Sequence, residues 1–441
     1  MSLVPSILDA KLNYLYGRTG GNRIRFGLDT TLRLAAAAGV DPAALPCVHV
    51  AGTNGKGSVS AMLDSVFRRA GFRTGLYTSP HLIRFNERMR VDGEAIGDED
   101  LSRLLDEVER ADREQAAGGD EGARPGTFFE LTTVAAMRWF LARGVQMAVM
   151  ETGLGGRLDS TNVVDPAVSI ITEIGIEHTA YLGKTIEAIA GEKAGIIKPG
   201  RPVVIGRQRE AAREVLEARA REVGAPVVLA GDAVSVRRVS QDWDGQVVEI
   251  ETQDGRWPRF RLPLLGDYQL ENCATAVAAL EWLREAAGFP VSRESEIEGL
   301  ERVRWAGRCQ VAAKNPTVLV DVAHNPDGAA ALARFLRPLK KKSPVVLVCG
   351  MLSDKDAGGF FRQMRPVVDA CVLVPLDSER NMPMERLVAA ARGARVPAVP
   401  GTLPDALSRA RKWAADRDGL VVCAGSLFMA SAVLYELGVE V

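Results

Sequence analysis

The chain has 441 residues, 47 % of them hydrophobic and 25 % charged, with 55 basic and 56 acidic side chains. That length suits two or three domains that each bury a core, and the near-neutral balance points away from nucleic acid and from an anionic membrane surface as partners. The opening MSLVPSILDAKLNYL lacks a basic stretch followed by an apolar core, no apolar run reaches membrane-spanning length, and six scattered cysteines without a C-x-x-C pair argue against zinc or a disulfide framework, so a cytoplasmic protein is expected.

In chain order, Val48–Ala51 reads as a short buried strand. It runs into Gly52, Thr53, Asn54, Gly55, Lys56, Gly57 and Ser58. An amphipathic helix follows, with Val59, Met62, Leu63, Val66, Phe67 and Ala70 on one face and Gly71 as its stop. Strand, glycine loop and helix N-terminus together make an anion site. Glycines let the backbone approach phosphates, the first-turn N–H groups point at them, and the helix dipole favours negative charge. Lys56 adds a point charge and Ser58 a hydroxyl near a metal. The spacing departs from G-x-x-x-x-G-K-[ST], because two residues separate Gly52 from Gly55 and Gly57 stands between Lys56 and Ser58. A plain glycine turn is the alternative.

Next come a strand at Gly75–Thr78 ending in Ser79-Pro80-His81, a helical stretch around Asp98–Ala111, and GGDEGARPG (118–126), which reads as a mobile loop. A helix is expected over Phe128–Ala142 and a strand over Val145–Met150, opening into ETGLGGRLDSTN. Ala167–Thr172 reads as a strand and Thr185–Ala194 as a helix. Residues 202–262 alternate in a β-rich pattern, clearest in QVVEIET, and Leu270–Ala286 reads as a helix. From Val318 a second α/β pattern begins, with strands at Val318–Val322, Val345–Cys349, Cys371–Val374 and Val421–Ala424 and a closing helix over Leu427–Leu437. The expected fold is α/β with two domains. Residues 1–302 form a P-loop-type ATPase domain with a mostly parallel sheet, 303–308 a linker, and 309–441 a Rossmann-like α/β domain, with a ligand cleft between them.

Catalytic groups in open α/β sheets gather at the carboxyl ends of strands. Four polar clusters sit at such ends: the glycine loop, Thr78-Ser79-Pro80-His81, Glu151 and His178. Glu151 beside a phosphate loop is where Mg²⁺ would be held, with a capping or ion-paired carboxylate as the alternative. Imidazole is an uncommon Mg²⁺ ligand, so His178 is read as a ligand or a general base. His49 reads as core, and His81 is open. Lys193 either makes an exposed pair with Glu192 or is buried, loses its charge and reacts with carbon dioxide. Asp321, His324 and Asn325, in VLVDVAHNPDG, suit nucleotide contacts or a capped turn. Arg308, in WAGR, can bridge to phosphate, and Asn272 contacts the nucleotide or caps a helix.

Together these residues resemble the Mur ligase superfamily and, within it, the dihydrofolate synthase/folylpolyglutamate synthase family. The resemblance spans nearly the whole chain, with GTNGKGS, TSPHL followed by FNER, TFFE, ETGLGGRLDSTN, EHTAYLG with EKAGIIK, LENCATA, WAGR, DVAHNPDG and GSLFMA in family order. It implies that the loop from Thr53 to Ser58 holds the ATP phosphates, and that Ser79, Glu151 and His178 bind Mg²⁺. Lys193 would be carbamylated and serve a second Mg²⁺. Lys56, His178 and Lys193 would be the catalytic groups. Asn272, Arg308, Asp321 and His324 would meet ATP from the far side of the cleft. Thr127, Phe128, Phe129 and Glu130, with Leu158, Asp159 and Ser160, would hold a pterin. IRFGLDTT (24–31) is compatible with that pocket.

LDSTN, WAGR, Val322 and IEH depart from commoner family forms, and none removes a proposed ligand. The implied reaction joins a pteroate or folate carboxylate to L-glutamate at the expense of ATP, through an acyl phosphate. The second domain would close over ATP and bind glutamate. The expected enzyme is a monomer acting on small molecules. A cell-wall Mur ligase is one rival, but such enzymes carry a further domain before the ATP loop, and here 51 residues precede Gly52. A P-loop kinase or switch is the other, and it predicts the regular glycine spacing.

Overall fold

The computed structural model describes residues 7–18, 27–117, 124–285 and 288–439. Parts of MSLVPSILDAKLNYL, IRFGLDTT and GGDEGARPG, and Ala286, lie outside them. The chain divides into two compact units, one comprising 1–236, 250–258 and 271–302, the other 237–249, 259–270 and 303–441. Residues 237–249 and 259–270 thus group with the second unit although they precede residue 302 in the chain.

In the first unit, β1 (Cys47–Ala51), β2 (Thr74–Tyr77), β3 (Met89–Val91), β4 (Glu94–Ala95), β5 (Met147–Glu151), β6 (Val168–Ile171), β7 (Val203–Ile205) and β8 (Val227–Leu229) form one sheet. Its order is β4-β3-β2-β5-β1-β6-β7-β8. Every neighbouring pair from β2 to β8 is parallel, and β3 and β4 add an antiparallel edge. β1, β2, β5, β6 and β7 are buried at every residue, as a parallel sheet covered by helices on both faces requires. One core cluster includes Leu34, Met89, Leu101, Val134 and Phe140, and another Ile171, Ile189, Ile205 and Leu216.

The helix after β1 runs Lys56–Arg69 and stops where Gly71 takes a left-handed φ of 86°. The expected helix over Phe128–Ala142 is observed with those bounds, while the one expected at Asp98–Ala111 extends to Ala117. The β-rich reading of 202–262 fails over Glu210–Glu222, which is helical. Only Ala212, Leu216 and Ala220 are buried there, so a strong helix-forming sequence presents an apolar stripe too narrow to read as periodicity. The helix expected from Leu270 begins at Asp267, so Asn272 lies within it and not at its N-cap.

β9 (Ser235–Asp242), β10 (Gly245–Thr252), β11 (Gly255–Arg256) and β12 (Phe260–Leu262) form a small sheet centred on β10. In the second unit, β13 (Gln310–Ala313), β14 (Val318–Val320), β15 (Val345–Cys349), β16 (Ala370–Leu373), β17 (Ala398–Pro400) and β18 (Leu420–Ala424) form a sheet in the order β13-β14-β18-β15-β16-β17, parallel except for β13. Its core includes Leu332, Leu347, Phe360, Phe361 and Val422. The fold is therefore the expected α/β pair of mostly parallel sheets. The six cysteines are buried free thiols. No described helix is long and apolar enough to cross a membrane.

Candidate active site

Strand order explains why residues far apart in sequence converge. β2, β5, β1 and β6 are parallel neighbours, so the segments leaving their carboxyl ends share one edge. Those segments carry Ser79, Glu151, the glycine loop and, beyond Ile171, Glu177 and His178.

The glycine loop is held from beneath by the segment after β6. The Thr53 and Asn54 amides donate to Glu173 O at 2.9 and 3.1 Å, and Thr53 Oγ1 donates to Gly175 O at 3.2 Å. Gly55 caps the helix with φ 90°, and a Cβ there would overlap Asn272 Oδ1. Gly55 therefore serves both the left-handed turn and the approach of Asn272. Gly57 and Ser58 are buried in the first helical turn. Lys56 Nζ curls back onto the carbonyls of Gly52 (3.2 Å) and Thr53 (3.4 Å), 4.0 Å from Glu151 Oε1.

Lys193 is 5 % exposed, and its Nζ donates to Gly52 O at 2.6 Å. Burial, with the Lys56 charge adding to it, pushes this ammonium down to about 7. The surface-pair reading is excluded, since Glu192 pairs instead with Arg157 at 2.7 Å. A cavity of about 20 Å³ is lined by Gly52, Thr53, Lys56, Glu177, His178 and Lys193, among others. His178 has φ 52° at the start of a one-turn helix, with Nε2 3.8 Å from Glu177 Oε1.

The Ser79 amide donates to Glu151 Oε2 at 3.3 Å, yet the Ser79 Oγ is buried without a hydrogen-bond partner. An orphaned hydroxyl beside a carboxylate that is 4 % exposed is a donor set suited to a hard divalent cation, so the residues fit Mg²⁺.

The loop after β5 is shaped from within. Asp159 accepts from the Gly153 and Leu154 amides (3.0 and 2.8 Å) and from Thr161 N and Oγ1 (3.0 and 2.5 Å). Burial raises its carboxyl above the ordinary range despite these bonds. With the Thr161 hydroxyl committed to Asp159, His49 Nε2 donates to Thr161 Oγ1 at 2.8 Å. His49 is fully buried and pushed down to about 3, so it is a neutral core histidine as expected. Asp159 shapes this loop with both oxygens, at the position expected for a pterin contact. Ser160 is buried beside it, and Leu158 is half-buried.

Thr127 and Glu130 form a reciprocal capping box at the start of Phe128–Ala142. Glu130 is also paired with Arg124 through both oxygens (2.8 and 3.0 Å). The Phe129 ring fills the space that a Cβ on Gly153 would need, joining TFFE to the loop after β5. Phe128 stacks on Tyr16 at 4.4 Å.

Sequence reasoning missed Arg88 of FNER. It is 7 % exposed, lies 5.2 and 5.4 Å from the Phe85 and Phe128 ring centres, and its Nε donates to His81 Nδ1 at 2.9 Å. That contact holds His81 neutral, pushed down to about 4 by burial and by the Arg88 charge. A buried arginine in a motif away from the glycine loop was the available signal.

In the second unit, Arg308 is half-exposed and its Nη1 donates to Gly307 O at 3.3 Å. Asp321 Oδ2 accepts from Tyr268 Oη (3.1 Å) and Cys309 N (2.8 Å), and Oδ1 from Ala323 N (2.7 Å). His324 Nδ1 donates to Val322 O at 2.8 Å, and Asn325 caps the helix Pro326–Lys340 through Gly328 N.

Residues 50–280 match the Mur ligase middle domain, and 307–427 match the Mur ligase glutamate ligase domain. The chain is 35 % identical to folylpolyglutamate synthase of Lacticaseibacillus casei, covering 88 % of each chain. It is also 35 % identical to dihydrofolate synthase/folylpolyglutamate synthase of Escherichia coli, over 83 % of this chain and 81 % of that one. Among solved structures, Mycobacterium tuberculosis folylpolyglutamate synthase complexed with ADP and AMPPCP superposes with a TM-score of 0.89 at 32 % identity, covering 98 % of this chain and 99 % of that one. E. coli FolC in complex with DHPP and ADP gives 0.85 at 32 % identity over 99 % of each. With both Mur ligase domains matched and such identity sustained over most of its length, the chain belongs to the folylpolyglutamate synthase/dihydrofolate synthase family of Mur ligases.

Proposed function

We propose that this chain is an ATP-dependent ligase that joins the carboxylate of a pteroate or folate to the amino group of L-glutamate, serving as dihydrofolate synthase, folylpolyglutamate synthase or both. The observation that carries the reading is the meeting of Lys56, Glu151, Ser79 and Lys193 around the glycine loop, backed by relatives that bear both names.

The ATP γ-phosphoryl group passes to the substrate carboxylate, giving an acyl phosphate and ADP. The glutamate amine then attacks that carbonyl, phosphate leaves, and an amide remains. Loop amides and Lys56 neutralise and orient the phosphates, which is the larger part of catalysis for phosphoryl transfer. Ser79, Glu151 and His178 would hold a first Mg²⁺, and Lys193, as a carbamate, a second. These ions, when bound, offset charge on the β- and γ-phosphates. A buried amine pushed down to about 7 has the neutral fraction that adds carbon dioxide, which supports the carbamate. Glu177, across the same cavity, faces that amine.

The pterin would lie along TFFE and the loop after β5, where Phe128 and Phe129 supply aromatic rings and Arg88 a buried cation for the acidic end of the substrate. Asn272, Arg308 and His324 would serve the nucleotide. The enzyme acts as a monomer in the cytoplasm on small molecules, without nucleic acid or membrane. ATP and glutamate incubated with dihydropteroate in one tube and a reduced folate in another test the specificity. Phosphate release in both supports two activities and in one alone a single activity, while release in neither refutes the reading.

A further inference from the structure

Asp321 stands at the end of β14, where the sequence suggests a nucleotide contact. Its carboxylate is also anchored within its own unit. Three donors hold it: the Tyr268 hydroxyl and the Cys309 amide on Oδ2, and the Ala323 amide on Oδ1. Oδ2 thus pins the Cys309 amide next to Arg308, and Oδ1 pins the amide of Ala323. The pinned turn also needs pinning. Gly307 N donates to Gln310 Oε1 at 2.9 Å and Val322 N to Gly307 O at 2.9 Å, while Cys309 sits at φ 44°, a left-handed conformation that a non-glycine residue adopts only when its surroundings hold it there.

Tyr268 is placed with equal care. Its ring packs against the core of the second unit. The start of its helix is anchored by the fully buried Gln246, whose amide donates to Leu264 O (2.7 Å) and Gly266 O (3.1 Å). Burial, then the Asp321 charge, raises the phenol well above its ordinary value, so it remains a donor at any working pH.

We propose that Tyr268 is a positioning residue for Arg308: its hydroxyl, with the Cys309 amide, locks the Asp321 carboxylate and thereby fixes the turn 307–309 that presents the guanidinium. This rests on the reading above that Arg308 serves the nucleotide. Tyr268 is one helical turn before Asn272, whose amide lies against Gly55.

The test is a double-mutant cycle on kcat/KM for ATP, with the other substrates saturating and a melting curve for each protein. Tyr268→Phe removes one hydrogen bond to a carboxylate and is expected to lower kcat/KM roughly tenfold. In an Arg308→Ala background the same change should have less than about a twofold effect, because Tyr268 acts through Arg308. An equal loss in both backgrounds, or none in the parent, overturns the inference. Full activity of Arg308→Ala refutes the reading of Arg308 and the inference with it, whereas an impaired Arg308→Ala beside an unaffected or additive Tyr268→Phe refutes the inference alone. Should Tyr268→Phe melt too low to assay, Asp321→Asn replaces it in the cycle, with non-additivity expected and additivity contradicting.

Discussion

Replacing Gly55 by alanine probes how the glycine loop is built. At φ 90° an alanine Cβ carries a left-handed penalty of about 1 kcal/mol, by the usual cost for L-residues. The same Cβ would overlap Asn272 Oδ1, and relieving an overlap of that kind in a packed site costs roughly 1–3 kcal/mol. The sum, roughly 2–4 kcal/mol, lowers the melting temperature of a unit this size by roughly 3–7 °C. The Asn272→Ala background removes the overlap and leaves the backbone term, so the loss there should shrink to about 1 kcal/mol, a coupling within the range for contacting residues. Melting of the nucleotide-free proteins measures the cycle, and calorimetric titration with a non-hydrolysable ATP analogue measures the site. Gly55→Ala should bind the analogue weakly in both backgrounds, because the turn is distorted in both. Equal destabilisation with and without the Asn272 side chain would refute the apposition of that side chain to the loop.

Other outcomes follow from the same geometry. Lys193→Ala should abolish turnover, with partial recovery in formate or acetate supplied as a small carboxylate; full activity of the variant would sink the carbamate reading. Arg88→Gln should raise KM for the pteroate or folate substrate and leave KM for ATP unchanged, and the reverse pattern would remove Arg88 from the substrate pocket. Burial pushes Glu296 up to about 7 even though Arg293 and Arg284 pull the other way. The folded state then binds more protons than the unfolded state between the ordinary carboxylate range and pH 7, so stability falls as pH rises through that window. Glu296→Gln should therefore stabilise the protein at pH 8, by at most roughly 3 kcal/mol, and have little effect near pH 4. Identical pH-stability curves for parent and variant would contradict it.

What the sequence revealed and what it hid follow from the range of the forces involved. β1 and the helix after it were readable because a strand, a glycine turn and a 3.6-residue apolar period are local patterns. The helices Ile7–Gly17 and Asp29–Ala37 went unassigned, and Glu210–Glu222 was misread because its buried stripe, Ala212, Leu216 and Ala220, is too narrow to stand out as a period. The motif residues could be named, yet their roles depend on neighbours far away in the chain. Lys193 looked equally like a surface partner of Glu192 until its ammonium was found on the Gly52 carbonyl. Asp159 and Asp321, named from motifs as ligand contacts, each also anchor their own loop through backbone amides and a hydroxyl, a role no local pattern displays, because a buried carboxylate is costly unless nearby donors satisfy it.

The central claim is that ATP cleavage is coupled to amide formation at this site. Phosphate release and new glutamyl amide should be measured together, omitting ATP, L-glutamate or the pteroate or folate in turn. The account predicts one phosphate per amide and neither product when any component is missing. Phosphate released at full rate without glutamate, or a phosphorylated product that persists in its presence, would contradict it.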